Sequence, residues 1–387
     1  MRVLHIGKYF PPFAGGMEYF LGDLLPALRA QGVAVAALVH SDGGPTQGPE
    51  PTHGDPIPVY RAPCLGRLLY APISPAFPIW LNRLIRDFRP DLLHLHLPNT
   101  SAFAALALPS ARRIPWVVHW HSDVVTSDID RRLALAYRLY RPFEQALLAR
   151  ARAVIATSPD YLESSAALRP WHDRCHVIPL GLNAERIPHP DRDALAQAER
   201  LWAEPGTRIL AVGRLTYYKG HEVLIDAAAR LPGSRILIVG TGDLRDRLTA
   251  KIAALGLEQR VTLTGFQPDA VLQALMASCD LLCLPSLERT EAFGLVQLEA
   301  MRFGKPVVVS DIPGSGTGWV VREAGNGLLT APGEPAQLAE RIGRIQSSAQ
   351  LRQELGTSGR RALAERFGIE AISSATADLY RQIQSGA

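Results

Sequence analysis

The chain has 387 residues, 47% of them hydrophobic and 20% charged, which fits a folded protein of two or three domains and excludes long disorder. Its net charge of +4 is too mild for a dedicated nucleic-acid binder. Most of that excess lies in residues 1–185, where it suits an anionic partner, such as a phospholipid surface or a lipid-linked diphosphate, or a plain solvated arginine-rich face.

The chain opens MRVLHIGKYFPP, an apolar run too short for a signal peptide and ended by Pro11-Pro12. No run of about 20 apolar residues follows, so no membrane span is expected. The expectation is a cytoplasmic protein whose membrane contact, if present, is peripheral and at the inner face. Cys64, Cys175, Cys279 and Cys283 match no zinc or redox spacing and read as ordinary cysteines of a reducing compartment.

Strands and amphipathic helices alternate along the chain. Val3–Ile6 predicts a first buried strand, Tyr19–Gln31 a helix closed by Gly32, and Val33–Val39 the next strand. Leu92–His96, Trp116–Trp120 and Ala153–Thr157 are further short apolar runs, and Ser158-Pro159 starts a helix. The pattern restarts with Arg208–Val212, Arg235–Val239, Val261–Leu263, Leu281–Leu284 and Pro306–Ser310. A proline-rich junction near Leu182–Pro190 separates the two series. Two doubly wound α/β domains are therefore predicted, residues 1–185 and 186–369, each with a crevice at its strand ends. The tail is helical with a break near Phe367-Gly368. Ala371, Ala375 and Leu379 recur at helical spacing there, so residues 370–387 are expected to form a helix able to cross back to the first domain.

A dinucleotide-binding fingerprint is absent after the first strand. The loop instead runs through two prolines to Gly15-Gly16 just before a helix, which suits either phosphate on bare backbone donors or a plain helix-entry turn. A second loop, Gly213-Arg214-Leu215-Thr216-Tyr217-Tyr218-Lys219-Gly220, joins a strand to a helix. An arginine fork and a lysine point charge on one loop are what a departing diphosphate needs. Lys219 is one of only four lysines among 41 basic residues, which argues against a merely solvated basic loop.

A third segment, Glu291-Ala292-Phe293-Gly294-Leu295-Val296-Gln297-Leu298-Glu299, follows a strand and reads as the start of a helix with free backbone N–H groups. With Glu291 in the loop and Glu299 on the helix, the two acids would grip different parts of one long ligand by accepting from hydroxyls. The plain alternative is an acid favourable to the helix dipole and a surface glutamate.

Gly-Arg-(four residues)-Lys-Gly, followed about 70 residues later by Glu-(seven residues)-Glu, resembles family 4 of the retaining glycosyltransferases, of GT-B fold. The resemblance runs over nearly the whole chain. It includes Gly15-Gly16-Met17-Glu18, the His-Ser pair 121–122, the Ile178-Pro179-Leu180-Gly181 junction and the turn Gly325-Asn326-Gly327-Leu328. It implies two Rossmann-like domains facing a central cleft and a nucleotide-sugar donor held mainly by the C-terminal half. Arg214 and Lys219 match the residues that neutralise the diphosphate. Glu299 matches the carboxylate on the ribose, and Glu291 the one on the donor sugar. Phe293, Gly294 and Leu295 match backbone contacts to sugar and phosphate, with Gly213 in the basic loop. Gly15 and Gly16 match the loop that closes on the diphosphate, and His121 the histidine near the reacting carbon.

His119 and His121 are assigned to opposite faces of their strand, and His121 is preferred because it lies at the C-terminal end. His94 and His96 read as structural histidines; no histidine pair has convincing metal-ligand spacing, so no metal is expected. The stretch Asp311–Val320 departs from the commoner Gly-Gly pattern and resembles bacterial mannosyl- and rhamnosyltransferases of surface polysaccharide. The resemblance implies a GDP-sugar ahead of a UDP-sugar and a glycan or lipid-linked saccharide acceptor. Arg67 to Tyr70 with Phe77, Trp80, Arg83, Arg86 and Arg89 reads as an interfacial patch or an amphipathic helix packed on the sheet. The competing functions are another GT-B enzyme, an epimerase or phosphorylase, and a non-catalytic nucleotide-sugar binder.

Overall fold

The computed structural model describes residues 1–13, 15–41, 46–50, 56–68, 71–124, 131–203 and 205–386, with backbone alone at 46–50 and 131–134. It divides into two units, Met1–Gly181 with Ile369–Ala387, and Leu182–Gly368.

The first unit is built on an eight-stranded sheet. In chain order its strands are β1 (Arg2–Ile6), β2 (Ala34–Ser41), β3 (Thr46–Glu50), β4 (Ile57–Pro63), then, after a small hairpin of β5 (Gly66–Leu68) and β6 (Ala71–Ile73), β7 (Leu92–Leu97), β8 (Trp116–Trp120), β9 (Ala153–Ala156) and β10 (Cys175–Val177). Their order across the sheet is β10-β9-β8-β7-β1-β2-β4-β3, parallel except that β3 runs antiparallel to β4. β7 and β8 are buried at every position, as expected of parallel strands covered on both faces.

Local chemistry sets the helix ends. The first helix, Gly16–Ala30, stops where Gly32 takes φ +80°, and the Gly32 N–H returns to the Arg29 carbonyl. Ser158 accepts from the Tyr161 N–H and caps Pro159–Ser164. The C-terminal helix, Ile369–Ser385, packs against the first helix within this unit. It buries Ile369, Ile372, Ser373, Thr376, Ala377, Leu379 and Tyr380. Ala371 and Ala375 are exposed, so the apolar spacing that marked the helix does not mark its buried face.

The second unit carries β11 (Thr207–Val212), β12 (Ser234–Val239), β13 (Val261–Gly265), β14 (Leu281–Leu284), β15 (Val307–Ser310) and β16 (Gly327–Thr330). All pair in parallel, in the order β13-β12-β11-β14-β15-β16. Alternation along the strands makes two cores. Ile209, Ile236, Ile238, Leu281 and Cys283 share one, while Leu210, Leu237, Val239, Leu282 and Leu284 share the other. Each such side chain contributes about 1.5–3 kcal/mol by leaving water. Burial pushes the Cys279 thiol up to about 12 and Cys283 higher still, so both are inert core residues.

Strand order reverses direction between β1 and β7 in the first unit and between β11 and β14 in the second. Open α/β sheets bind ligands beyond the carboxyl ends of the strands at such points. The basic loop follows β11, and the acidic loop follows β14.

Candidate active site

In the second unit the chain leaves β11 through Gly213, whose N–H bonds the Val239 carbonyl at 3.0 Å. A side chain on Gly213 would press on Lys219, with Cε 3.0 Å from the added carbon. The loop then makes a short turn at Tyr217–Lys219 and closes with Gly220 at φ +66°. Any Cβ on Gly220 would overlap the Pro285 carbonyl, so the loops after β11 and β14 are in backbone contact there. The Leu287 N–H adds a bond to the Tyr218 carbonyl at 2.7 Å.

That contact brings two predicted residues together. Lys219 Nζ lies 2.5 Å from Glu291 Oε2, with side chains only 14% and 11% exposed. Ser286 Oγ donates to the same carboxylate oxygen at 3.2 Å. Burial is the largest effect on Lys219 and acts to lower its pKa. The attraction of Glu291, with Tyr218 and the hydrogen bond to Glu291, outweighs it, so the pKa is raised and the ammonium stays charged. Arg214 is exposed on the same loop, with Nη2 donating to the Tyr218 hydroxyl at 3.1 Å.

The acidic loop leads into the helix Val296–Arg302, which carries Glu299, half-buried. Phe293 and Leu295 are buried. Gly294 has φ +74°, and an added Cβ would come within 2.7 Å of Leu284. The expected row of free N–H groups is shorter than the sequence implied. The Gln297 and Leu298 N–H groups close onto the Gly294 and Leu295 carbonyls at 2.9 Å each, because the helix starts with a tight turn.

Two supports escaped the sequence reading. The Ser315 hydroxyl donates to the Glu291 carbonyl, and the Gly316 N–H bonds the Ala292 carbonyl at 2.8 Å, so the segment that departed from the family pattern braces the acidic loop. Ser315 also accepts from Thr317 to cap the helix Gly316–Ala324, and Ser before a helix was the available signal. His221 donates from Nε2 to the Arg214 carbonyl at 3.2 Å. Burial, then the Lys219 charge, lowers its pKa to about 4, so it is a neutral strut under the loop.

In the first unit Gly15 precedes the helix in extended backbone, and Gly16 is its first residue. His121 lies just past β8 and is 7% exposed, its N–H bonded to the Leu97 carbonyl at 3.0 Å. Its ring stacks on His119, with centroids 4.3 Å apart and planes 9° from parallel. The assignment of these two to opposite faces is therefore corrected. Residues two apart on a strand share a face, and only neighbours alternate. His121 Nε2 also meets His96 Nδ1 at 2.9 Å, and His5 Nδ1 meets His96 Nε2 at 3.1 Å. Burial lowers the pKa of His5 and His121 to about 3, and all three of His94, His96 and His119 shift down for the same first cause. The Tyr380 hydroxyl meets His94 Nδ1. Sequence spacing could not assemble this stack, because its members come from β1, β7 and the end of β8.

The interfacial segment is divided. Leu69 and Tyr70 lie outside the described residues. The helix Phe77–Phe88 buries Phe77, Leu81, Leu84 and Ile85 and exposes Ile79 with Arg83 and Arg86. No helix among the described residues is long and apolar enough to cross a membrane.

Residues 15–181 match the family model of the glycosyl transferase 4-like domain, and residues 194–362 match that of the glycosyl transferases group 1. The chain is 30% identical over 389 residues to the O-antigen chain mannosyltransferase C of Escherichia coli, covering 98% of each chain. It is 31% identical over 364 residues to the D-rhamnosyltransferase WbpZ of Pseudomonas aeruginosa, covering 92% of this chain and 89% of that one. Among solved structures, sucrose-phosphate synthase from Thermosynechococcus elongatus matches with a TM-score of 0.79 at 27% identity over the full length of both. WaaG, a glycosyltransferase involved in lipopolysaccharide biosynthesis, shares the fold with a TM-score of 0.70 at 19% identity, covering 97% of this chain and 99% of that one. Both halves of the chain thus carry the same signature that its switch-point loops display, and it belongs to the family 4 glycosyltransferases of GT-B fold.

Proposed function

We propose that the protein transfers a hexose, mannose or rhamnose, from a nucleotide sugar to a glycan or lipid-linked saccharide in the synthesis of a surface polysaccharide, with retention of anomeric configuration and no catalytic metal. The observation that carries this reading is the Lys219–Glu291 pair, held between two loops at the switch point with Arg214 alongside. The names of the two bacterial relatives support the sugar and the pathway class.

In this reading Arg214 and Lys219 stabilise negative charge on the diphosphate as its bond to the sugar C1 breaks. The acceptor oxygen bonds C1 on the same face, and its proton passes to the departing phosphate oxygen. Glu291 holds the donor sugar, Glu299 the ribose, and the backbone at Phe293, Gly294 and Leu295 the sugar and phosphate. Gly15 and Gly16 would meet the diphosphate, and His121 would lie near C1. A GDP-sugar is favoured over a UDP-sugar. Exposed Ile79 and Leu68 beside arginines support peripheral contact with anionic lipid at the inner membrane face. An epimerase or phosphorylase has no comparable support among the relatives.

Transfer from GDP- and UDP-linked hexoses to a lipid-linked saccharide panel tests the proposal, with the product anomer read by NMR. Arg214→Ala and Lys219→Ala should each lower kcat by about 100- to 1,000-fold. Near-normal turnover in both would remove the assignment, and a chelator that abolishes transfer would remove the metal-free mechanism.

A further inference from the structure

Three buried histidines of the first unit are joined end to end. His5 on β1, His96 on β7 and His121 just past β8 make two nitrogen-to-nitrogen contacts, His5 Nδ1 to His96 Nε2 at 3.1 Å and His96 Nδ1 to His121 Nε2 at 2.9 Å. The ring centroids of these pairs lie 5.4 and 5.2 Å apart, with planes 28° and 23° from parallel. Those separations match the contact distance plus two ring radii, so the rings meet edge to edge and the contacts are hydrogen bonds in the ring planes. His119, by contrast, lies face to face on His121 at 4.3 Å and has no partner at either nitrogen among the described residues.

Burial lowers the pKa of all three linked rings, so each is uncharged in neutral solution. An uncharged imidazole has one N–H and one lone pair. His96 therefore donates from one nitrogen and accepts at the other, and its choice sets both neighbours. Protons ordered toward His121 put the His121 proton on Nδ1 and leave a lone pair at His5 Nε2. Protons ordered the other way put an N–H at His5 Nε2 and a lone pair at His121 Nδ1. Neither of these end atoms has a partner among the described residues. A buried N–H without an acceptor is the costlier orphan. His5 is 0% exposed inside a central strand, whereas His121 is 7% exposed beyond the carboxyl end of β8, where α/β sheets receive ligands. The order that points toward His121 is therefore the stable one.

We propose that His5 and His96 are positioning residues that hold His121 in its Nδ1–H tautomer, so that His121 donates a hydrogen bond to an oxygen of the sugar being transferred. This rests on the proposed function for the identity of that oxygen, while the tautomer is a property of the first unit alone. The Nδ1–H is buried with no acceptor in the described protein, a cost that a substrate oxygen removes on binding.

The test uses the full chain carrying isotope-labelled histidine. Two-bond nitrogen–proton correlations read the tautomer of each ring without substrate, and the signals lost in His121→Gln identify His121. The parent should show His121 and His96 both protonated at Nδ1. His96→Phe keeps a ring but removes the donor, so His121 should revert to the Nε2–H form that free histidine side chains prefer. Its kcat should fall about tenfold, the loss of one hydrogen bond in the transition state. The Kd for a nucleoside diphosphate, held mainly by the other unit, should be unchanged. His96→Asn, whose amide donates from the position of Nδ1, should recover part of both the tautomer and the rate. His119→Phe should alter neither, because its nitrogens take no part. Folding is checked by circular dichroism, and if His96→Phe does not fold, the parent spectrum still decides the tautomer. A parent with His121 protonated at Nε2 overturns the proposal, as does a folded His96→Phe chain that keeps the parent tautomer or the parent kcat. An effect of His119→Phe equal to that of His96→Phe would reduce the chain to packing and overturn it too. Absence of transfer by the parent would count against the proposed function, and the tautomer would still be read.

Discussion

At the residue scale, the Lys219–Glu291 pair couples stability to chemistry. Removing one member of a nearly buried ion pair strands the other charge, which costs about 3–5 kcal/mol, whereas replacing both with neutral groups of similar shape is close to neutral. Lys219→Met should therefore lower the urea midpoint clearly, and Lys219→Met with Glu291→Gln should restore most of it. Activity should behave otherwise, staying low in the double variant, because the proposed function puts the missing cation beside the leaving group. Recovery of turnover together with stability would make the pair a structural brace alone. The residue types of this pair were legible because a lysine is rare in this chain. Their 2.5 Å approach was not, since about 70 residues separate them and only adjacency of β11 and β14 brings them together. Ser315 was missed because it meets the acidic loop from 24 residues away, whereas His221, seven residues from the Arg214 carbonyl it bonds, belongs to no motif that marks it.

At the scale of elements, the helix Arg131–Arg150 buries an acid on its inner face. Glu144 is 1% exposed and accepts from the Tyr137 hydroxyl at 3.0 Å. Burial, chiefly, raises its pKa from 4.5 to about 7, against the opposing pull of the Tyr137 bond. A carboxyl whose pKa rises on folding leaves stability fully present below its unfolded value and loses it as pH climbs through the folded one. The chain should accordingly lose stability between about pH 4.5 and 7 through this group. Glu144→Gln should be more stable than the parent by about 3 kcal/mol at pH 8 and nearly equal at pH 4.5. Denaturant titrations at the two pH values check this; equal differences at both would mean that Glu144 is ionised without penalty. Elsewhere in this unit, β4 and β10 were not anticipated. Pro58 and Pro63 in β4 are edge-type residues, and Cys175–Val177 is too short to show a period.

At the scale of the molecule, Leu182–Gly368 has its own two-sided core and contains Arg214, Lys219, Glu291 and Glu299. Residues 182–368 expressed alone should unfold cooperatively and bind a nucleoside diphosphate, yet transfer no sugar; calorimetry and the transfer assay read the two properties separately. A fragment that folds but binds no nucleotide would move the donor site elsewhere. Met1–Gly181 depends instead on Ile369–Ser385, whose Tyr380 reaches His94 across 286 residues. Apolar period, helix punctuation and the two charged loops determined from sequence that the chain is a repeated α/β protein with a sugar-nucleotide signature, because these are properties of neighbours along the chain. Only the tertiary structure decided that Lys219 closes on Glu291, that Ser315 braces that loop and that five histidines stack in one unit, because parallel strands join residues far apart in sequence and the order of strands sets which ones meet.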